Sequence, residues 1–466
     1  MILWVTWFNA VMELRASCAR EATFFWMVIC LMGLSIRSDF AGVTSFVRAL
    51  GLKGCYYDRI LDCLQGSGID LKALTDLWVR LVFKLFTQPL RVNGRLVALA
   101  DGFKAAKEGR KMPGVKSLHQ DSQNNSKSEY IMGHSCQAVS LVVAAGESFF
   151  AVPLVSRIHE GVVTSNRDQK TLLDKLILLV RSLKIPEPFY LVADAYYATA
   201  KVIKGLLADK QHLISRVKSN AVAYEAVKPS KKPKKGRPKL YGKKIKLNAH
   251  FKKLHRFISI DSPVYGETNV KILYSTQTLI WRSAGLLVKF IWVIHPIRGK
   301  IILITTDLNL DPIDAIRLYG IRFKIELSFK NAVHVLGTYS YHFWMKSMTR
   351  IKQKSGDQYL HHKPREYRER VAKKMEAYHR HIQLGLIAQG LLQYLAATMP
   401  EQVWLKFGSW IRTIRKGRPP SEQTVSMALR SCLPEFLADS NCPANFKKFL
   451  FDKIDFGRAE GIRLAA

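Results

Sequence analysis

Apolar residues recur at helical spacing through Phe24–Leu34, Val43–Leu50 and Leu71–Phe86, the period of helices that bury one face. Positions 1 to about 90 therefore predict a helical region. Pro89 and Asn93-Gly94 punctuate its end. The pattern then shortens. Arg95–Ala100 is a compact apolar run closed by Asp101, and Gln137–Ala145 and Ser148–Val155 predict two strands joined as a hairpin across Gly146. Thr171–Leu183 predicts an amphipathic helix. Phe189–Ala193 is a second apolar run closed by an acid, Asp194, followed by a helical stretch Ala198–Leu207 and a strand His212–Val217. Strand, hairpin, helix, strand, helix, strand is the order of a mixed α/β sheet with helices on its faces.

Further strands are predicted at Val270–Ser275, Leu286–Ile294 and Lys300–Thr306. Asp311-Pro312 then has the form of an N-cap followed by proline at the first helical position, opening a helix that runs towards Gly337 with a possible break at Gly320. The chain ends in helical patterns, the longest from Val371 to Ala397, and no internal repeat is visible.

Charge changes this from a generic α/β protein into one with a polyanionic partner. Lys plus Arg number 72 against 36 Asp plus Glu, for a net charge of +36. A surface of that sign attracts a nucleic-acid backbone. The positive charge is concentrated. Lys228–Lys246 holds ten Lys or Arg in nineteen residues and no acid, and a second basic region spans Lys346–Lys374. The length of 466 residues predicts two to four domains. Seven scattered cysteines with no CxxC pair indicate neither a zinc knuckle nor a disulfide framework. The apolar run Phe24–Ile36 spans 13 residues, short of the about 20 a bilayer crossing needs, and no A-x-A-like cleavage site follows it. It is read as a buried helix, and no membrane association is expected.

Four aspartates close apolar, strand-like runs: Asp101, Asp194, Asp261 and Asp307. Such an aspartate is ordinarily a turn former. Acids at strand ends, however, are also where carboxylates converge to hold the divalent metals that cut phosphodiesters. The surrounding residues separate the four. Asp101 stands in Leu99-Ala100-Asp101-Gly102-Phe103-Lys104 and Asp194 in Leu191-Val192-Ala193-Asp194-Ala195-Tyr196-Tyr197. Further on lies Tyr319-Gly320-Ile321-Arg322-Phe323-Lys324-Ile325-Glu326-Leu327-Ser328-Phe329-Lys330. In a continuous helix Tyr319, Arg322, Glu326 and Lys330 form one stripe beside the core stripe Leu318, Ile321, Ile325, Phe329 and Ala332. The ordinary alternative for that stripe is a solvated salt-bridge ladder.

Over about residues 95–345 the chain resembles the DDE-type bacterial insertion-sequence transposases that carry a Tyr-x2-Arg-x3-Glu signature. The resemblance implies a ribonuclease-H-like catalytic domain with a β-rich, basic insertion at about 219–310, flanked by a helical region 1–94 that binds element ends and a basic, then helical, region 346–466. It places the catalytic and metal-holding acids on Asp101, Asp194 and Glu326, holding two Mg²⁺ (or Mn²⁺) ions. It implies strand cleavage at element ends, strand transfer into target DNA, a homodimer in the synaptic complex, and a cytoplasmic, nucleoid-associated setting. One departure stands out: the family usually has Lys or Arg seven residues after the glutamate, where this chain has Val333, with Lys330 the nearest lysine.

Candidate DNA contacts are Tyr319, Arg322, Lys330 and Lys104 near the acids, and Lys234, Lys235, Arg237 and Lys239 in the basic segment. Gly236-Arg237-Pro238 resembles the core of an AT-hook, in which arginine enters a narrow minor groove; a solvated linker is the alternative. Trp281, followed by Arg282, is a candidate for stacking on a base, whereas Trp292 lies inside an apolar strand and is expected in the core. His134 and His159 have no paired ligand spacing and are expected to be structural. Two other readings remain: a decayed or domesticated DNA-binding relative, and a structure-specific nuclease on the same fold.

Overall fold

A computed structural model describes residues 2–40, 42–120, 128–227, 239–408 and 418–457. They form two compact units. Leu90–Asp101 with Lys170–Ile325 make up the sheet unit; Met1–Pro89, Gly102–Gln169 and Glu326–Ala466 make up the helical unit.

The sheet unit contains three parallel strands in the order His212–Val217, Phe189–Ala193 and Arg95–Asp101. Every residue of Phe189–Ala193 is buried, the continuous apolar run of a parallel strand covered on both faces. Parallel neighbours need a crossover, and Ala200–Ala208 supplies it between Phe189–Ala193 and His212–Val217. Local chemistry starts the helices: Thr171 and Asp174 form a capping box at Leu172–Ser182, and Thr199 caps Ala200–Ala208. On the other side of His212–Val217 the sheet continues antiparallel through Gly299–Thr305, Leu286–His295, Lys271–Trp281, Val222–Tyr224 and Lys244–Lys246. The Lys271–Trp281 strand runs well past the expected end at Ser275, because Thr276–Thr278 keep the ladder while exposing polar side chains on one face.

In the helical unit Tyr130–Ala145 and Ser148–Ile158 form the expected hairpin, with Gly146 at φ 56° in its two-residue turn. The register shifts after Val139, where Ser140 faces Pro153; proline has no N–H for the ladder, and a bulge accommodates it. A hairpin followed by parallel strands with a helical crossover is the order of a ribonuclease-H-like mixed α/β fold, as the sequence leads us to expect.

The core of the helical unit is the 34-residue helix Arg365–Thr398. It starts six residues before Val371, because its first turns are charged and mostly exposed, with Tyr367 their one half-buried aromatic. Its buried half packs on Ser148–Ile158 and on Glu21–Ile36. Met27–Ile36 are all buried, so the apolar run near the N-terminus is core, as expected. Among the described residues no single helix is long and apolar enough to cross a membrane; Arg365–Thr398 and Pro400–Phe407, bent by 103°, pass that test only as a pair.

Candidate functional site

The parallel strands set three side chains in a row. Ala100 is the register partner of Ala193, and Ala193 of Ser215. The next residue on each strand is Asp101, Asp194 and Arg216. Neighbouring strands lie about 4.8 Å apart, so positions 101, 194 and 216 are neighbours where the parallel ladder stops. The strand bearing Asp101 itself continues to Ala106, which differs from the expected end at Asp101. The end that matters is that of the ladder with Phe189–Ala193, which closes at Ala100. Asp194 caps the short Ala195–Tyr197 turn, its Oδ1 accepting the Tyr196 N–H at 3.1 Å, and Ser215 Oγ donates to its carbonyl at 2.7 Å. It is thus a turn former as well as a ladder-end acid.

The third motif reaches this row from the helix Pro312–Ile321. Asp311 caps that helix through the Ile313 N–H, with Pro312 in its first turn. The helical pattern breaks at Arg322 before resuming as Phe323–His334. Gly320 lies just before the break, and a Cβ there would stand 2.5 Å from Val264 Cγ1, so the close approach of the Val264 loop requires glycine. Arg322 Nη1 donates to Asp101 Oδ2 at 2.9 Å, with both side chains 17% exposed. Its guanidinium lies 5.8 Å from the Tyr319 ring centre. The Tyr319 phenol is pushed up by burial, drawn down by Arg322 and Arg216, and raised again by Asp194. Asp101, Asp194, Arg216, Tyr319 and Arg322 are therefore one electrostatic cluster within the sheet unit. The sequence reading missed Arg216; the available signal was an exposed-type basic residue next to the apolar Leu213-Ile214 and Val217 of its strand.

Glu326 belongs to the helical unit. It is exposed in the first turn of Phe323–His334, where the helix dipole favours a carboxylate. Lys330 is exposed on the same helix, and Val333 is half-buried. Lys104 is exposed, and its ammonium donates to the His119 carbonyl. The two other run-closing aspartates have ordinary roles. Asp307 accepts the Tyr190 hydroxyl at 2.6 Å and the Asn309 N–H at 2.9 Å, and Asp261 sits in an exposed ladder opposite Lys271.

Two adjacent carboxylates with oxygen-only donors suit a hard divalent cation, which takes one or two carboxylates from protein. Among the described residues no three His, Cys, Asp or Glu side chains are gathered as a metal site, so the fit extends to the aspartate pair.

In the β-rich region Lys234, Lys235 and Arg237, with the AT-hook-like Gly236-Arg237-Pro238, lie outside the described residues. Lys239 is described and exposed. The remainder of the basic stretch forms a cleft of about 340 Å³ whose lining includes Lys243, Lys244, Lys246, Lys253 and Arg256. His250 lines it too, stacked on Trp292 with ring centres 4.0 Å apart. Burial, Arg256 and Lys253 hold its pKa down, so it stays neutral beneath the cations. Trp292 is fully buried and donates to the Leu247 carbonyl at 2.8 Å, as expected of a core residue. Trp281 is half-buried at its strand end, edge-on to Phe290. His134 is buried between the Tyr341 hydroxyl (2.7 Å) and the Pro113 carbonyl (2.9 Å), a structural role.

The structure of a piggyBac transposase synaptic complex with hairpin DNA is 10% identical, with a TM-score of 0.36 over 93% of this chain and 76% of that one. No functionally curated protein matches the sequence. A family model described as DDE superfamily endonuclease matches residues 14–283, a span that contains Asp101, Asp194 and Arg216 and ends before Arg322. That match covers more than half of the chain, and the protein belongs to the DDE superfamily endonucleases, enzymes that act on DNA.

Proposed function

We propose that this endonuclease is a transposase that cleaves DNA strands at the ends of a mobile element and joins them to target DNA, working as a homodimer. The observation that carries the reading is the ladder-end row of Asp101, Asp194 and Arg216, with Arg322 seated on Asp101. Asp101 and Asp194 would hold Mg²⁺ or Mn²⁺, which when bound polarises the scissile phosphate and lowers the pKa of attacking water. Arg216 and Arg322 present cationic donors to the phosphate oxygens. Tyr319, kept protonated by burial, accepts from Arg322 and retains its hydroxyl proton to donate. The Tyr-x2-Arg-x3-Glu signature assigns Glu326 as the third acid. Lys330, Lys104, Trp281 and the basic stretch containing Lys234, Lys235, Arg237 and Lys239 would contact DNA away from the scissile bond.

A second reading, a non-catalytic DNA-binding relative, is favoured by Val333, which stands where the resembled family usually has Lys or Arg. Incubating the full-length protein with DNA flanking its own gene, with Mg²⁺ or Mn²⁺, separates the two. Nicks at the element ends and joined products are expected. Asp101→Asn, Asp194→Asn and Glu326→Gln should each abolish cleavage while DNA binding persists, and excess chelator should do the same to the wild type. A variant that cleaves normally removes its residue from the site. Cleavage without joining identifies a nuclease, and binding without cleavage in either metal identifies the non-catalytic relative.

A further inference from the structure

The helical unit carries a cationic face that the acids do not explain. It is built from two segments, one around Lys111 and one around Lys346, 235 positions apart in the chain. Main-chain bonds stitch them. The Met345 N–H donates to the Lys111 carbonyl at 3.0 Å, the Ile351 N–H to the Arg110 carbonyl at 2.7 Å and the Ser117 N–H to the Ser355 carbonyl at 2.7 Å. Lys111 Nζ closes on the Lys346 carbonyl at 3.0 Å. Beneath them the buried Lys107 Nζ donates to the carbonyls of Tyr339 and Tyr341. Backbone bonds hold the two segments together, so their cationic residues are carried on one surface.

Arg110, Lys346, Arg350, Lys352 and Lys354 are all exposed on these segments. Arg110 and Lys352 line a cleft of about 370 Å³, together with Tyr130, which is 52% exposed. Trp344 is 63% exposed, and no other tryptophan among the described residues is exposed. Gly109 lines the cleft, and a Cβ on it would come within 3.1 Å of Trp344 Nε1, so the indole neighbours a residue of the cleft. A large aromatic left in water beside guanidinium and ammonium groups is the arrangement that binds unpaired nucleotides: cations track the phosphates, and the ring accepts a base face. A duplex alone would use the charges and leave the indole without a partner, since its bases are stacked on one another.

We propose that this face binds a DNA strand carrying an unpaired base, with the phosphates on Arg110 and Lys352 and the base stacked on Trp344. The proposal rests on the reading of the protein as a DNA enzyme and adds a second contact surface to it.

The two kinds of contact leave different signatures in binding measured against salt. Cations that displace counterions steepen the salt dependence by about 0.7 per phosphate on a single strand; a stacked base does not. Full-length protein is titrated onto a blunt duplex and onto the same duplex with a single-stranded overhang, between 50 and 200 mM salt. Trp344→Ala should weaken overhang binding about five- to a hundredfold, with the salt slope unchanged and blunt-duplex binding nearly unaffected. Trp344→Phe should recover most of the loss. The double variant Arg110→Ala with Lys352→Ala should flatten the overhang slope by about 1.4. Wild-type binding with Trp344→Ala unchanged, or weakened equally on both DNAs, overturns the proposal and leaves the proposed function standing. If the wild type binds neither DNA, the proposed function falls as well.

Discussion

Removing the Arg322 guanidinium should cost far more in cleavage than in stability, and the structure sets both magnitudes. The Arg322–Asp101 bond is 2.9 Å long between side chains 17% exposed. A charge-assisted bond contributes about 1.5–3 kcal/mol. Breaking a fully buried pair costs about 3–5 kcal/mol and an exposed one about 0–1. Discounting for the solvent that reaches both groups, Arg322→Ala should destabilise the protein by about 2 kcal/mol. Against a stability of about 5 kcal/mol or more, about 99% of the protein stays folded. The loss of a fixed donor aimed at transferring oxygens costs about a hundred- to a thousandfold in rate, and in this variant Asp101 also loses the group that orients it. Urea unfolding and single-turnover cleavage on the same preparation separate the two effects. Arg322→Lys keeps the charge but not the planar fork and should recover about tenfold of the loss. Cleavage within threefold of wild type, or a loss that tracks unfolding, would refute the assignment of Arg322 to the site.

The basic stretch offers a second check. Deleting residues 228–239 removes seven positive charges and spares the Lys244–Lys246 strand, which pairs with Val222–Tyr224. If half of those charges touch phosphate, the slope of log K against log salt on duplex DNA should flatten by about 3, and an unchanged slope would take the segment out of the interface. Arg237→Ala alone should weaken binding to A·T-rich DNA more than to G·C-rich DNA if the Gly-Arg-Pro element enters a minor groove; equal loss on both would leave a nonspecific linker. A third check concerns pH. Burial lowers the Lys107 pKa from 10.5 to about 7, so between those values the unfolded chain holds a proton that the folded protein has released. Stability from Lys107 therefore rises with pH from about 7 towards 10.5 and is flat below that window. Lys107→Met should remove this rise from urea midpoints measured across pH 6.5–9.5; the same pH dependence in variant and wild type would show that Lys107 stays charged in the fold.

The parts of this site that the sequence revealed are those written in local pattern. Asp101 and Asp194 each close an apolar run, and Asp311-Pro312 announces the helix that carries Tyr319 towards them. Glu326 was visible only through its spacing from Tyr319 and Arg322. What local pattern does not contain is register. Arg216 joins the row because Ser215 is paired with Ala193, a match between strands that a slip of one residue would turn to the other face. Arg322 meets Asp101 across 221 positions of chain, and Lys111 meets Lys346 across 235; neither pairing has a signal at either end. The same limit explains why four run-closing aspartates looked alike. Asp307 is set apart by the Tyr190 hydroxyl, 117 positions away, and Asp261 by lying on an exposed ladder opposite Lys271. Acids at the ends of apolar runs, and Arg322 through its signature, are thus legible as candidates, while Arg216 and the Arg322–Asp101 contact emerge only in the folded chain. It follows that Arg216 and Arg322, rather than the acids, are where substitution most directly tests whether this register makes the site.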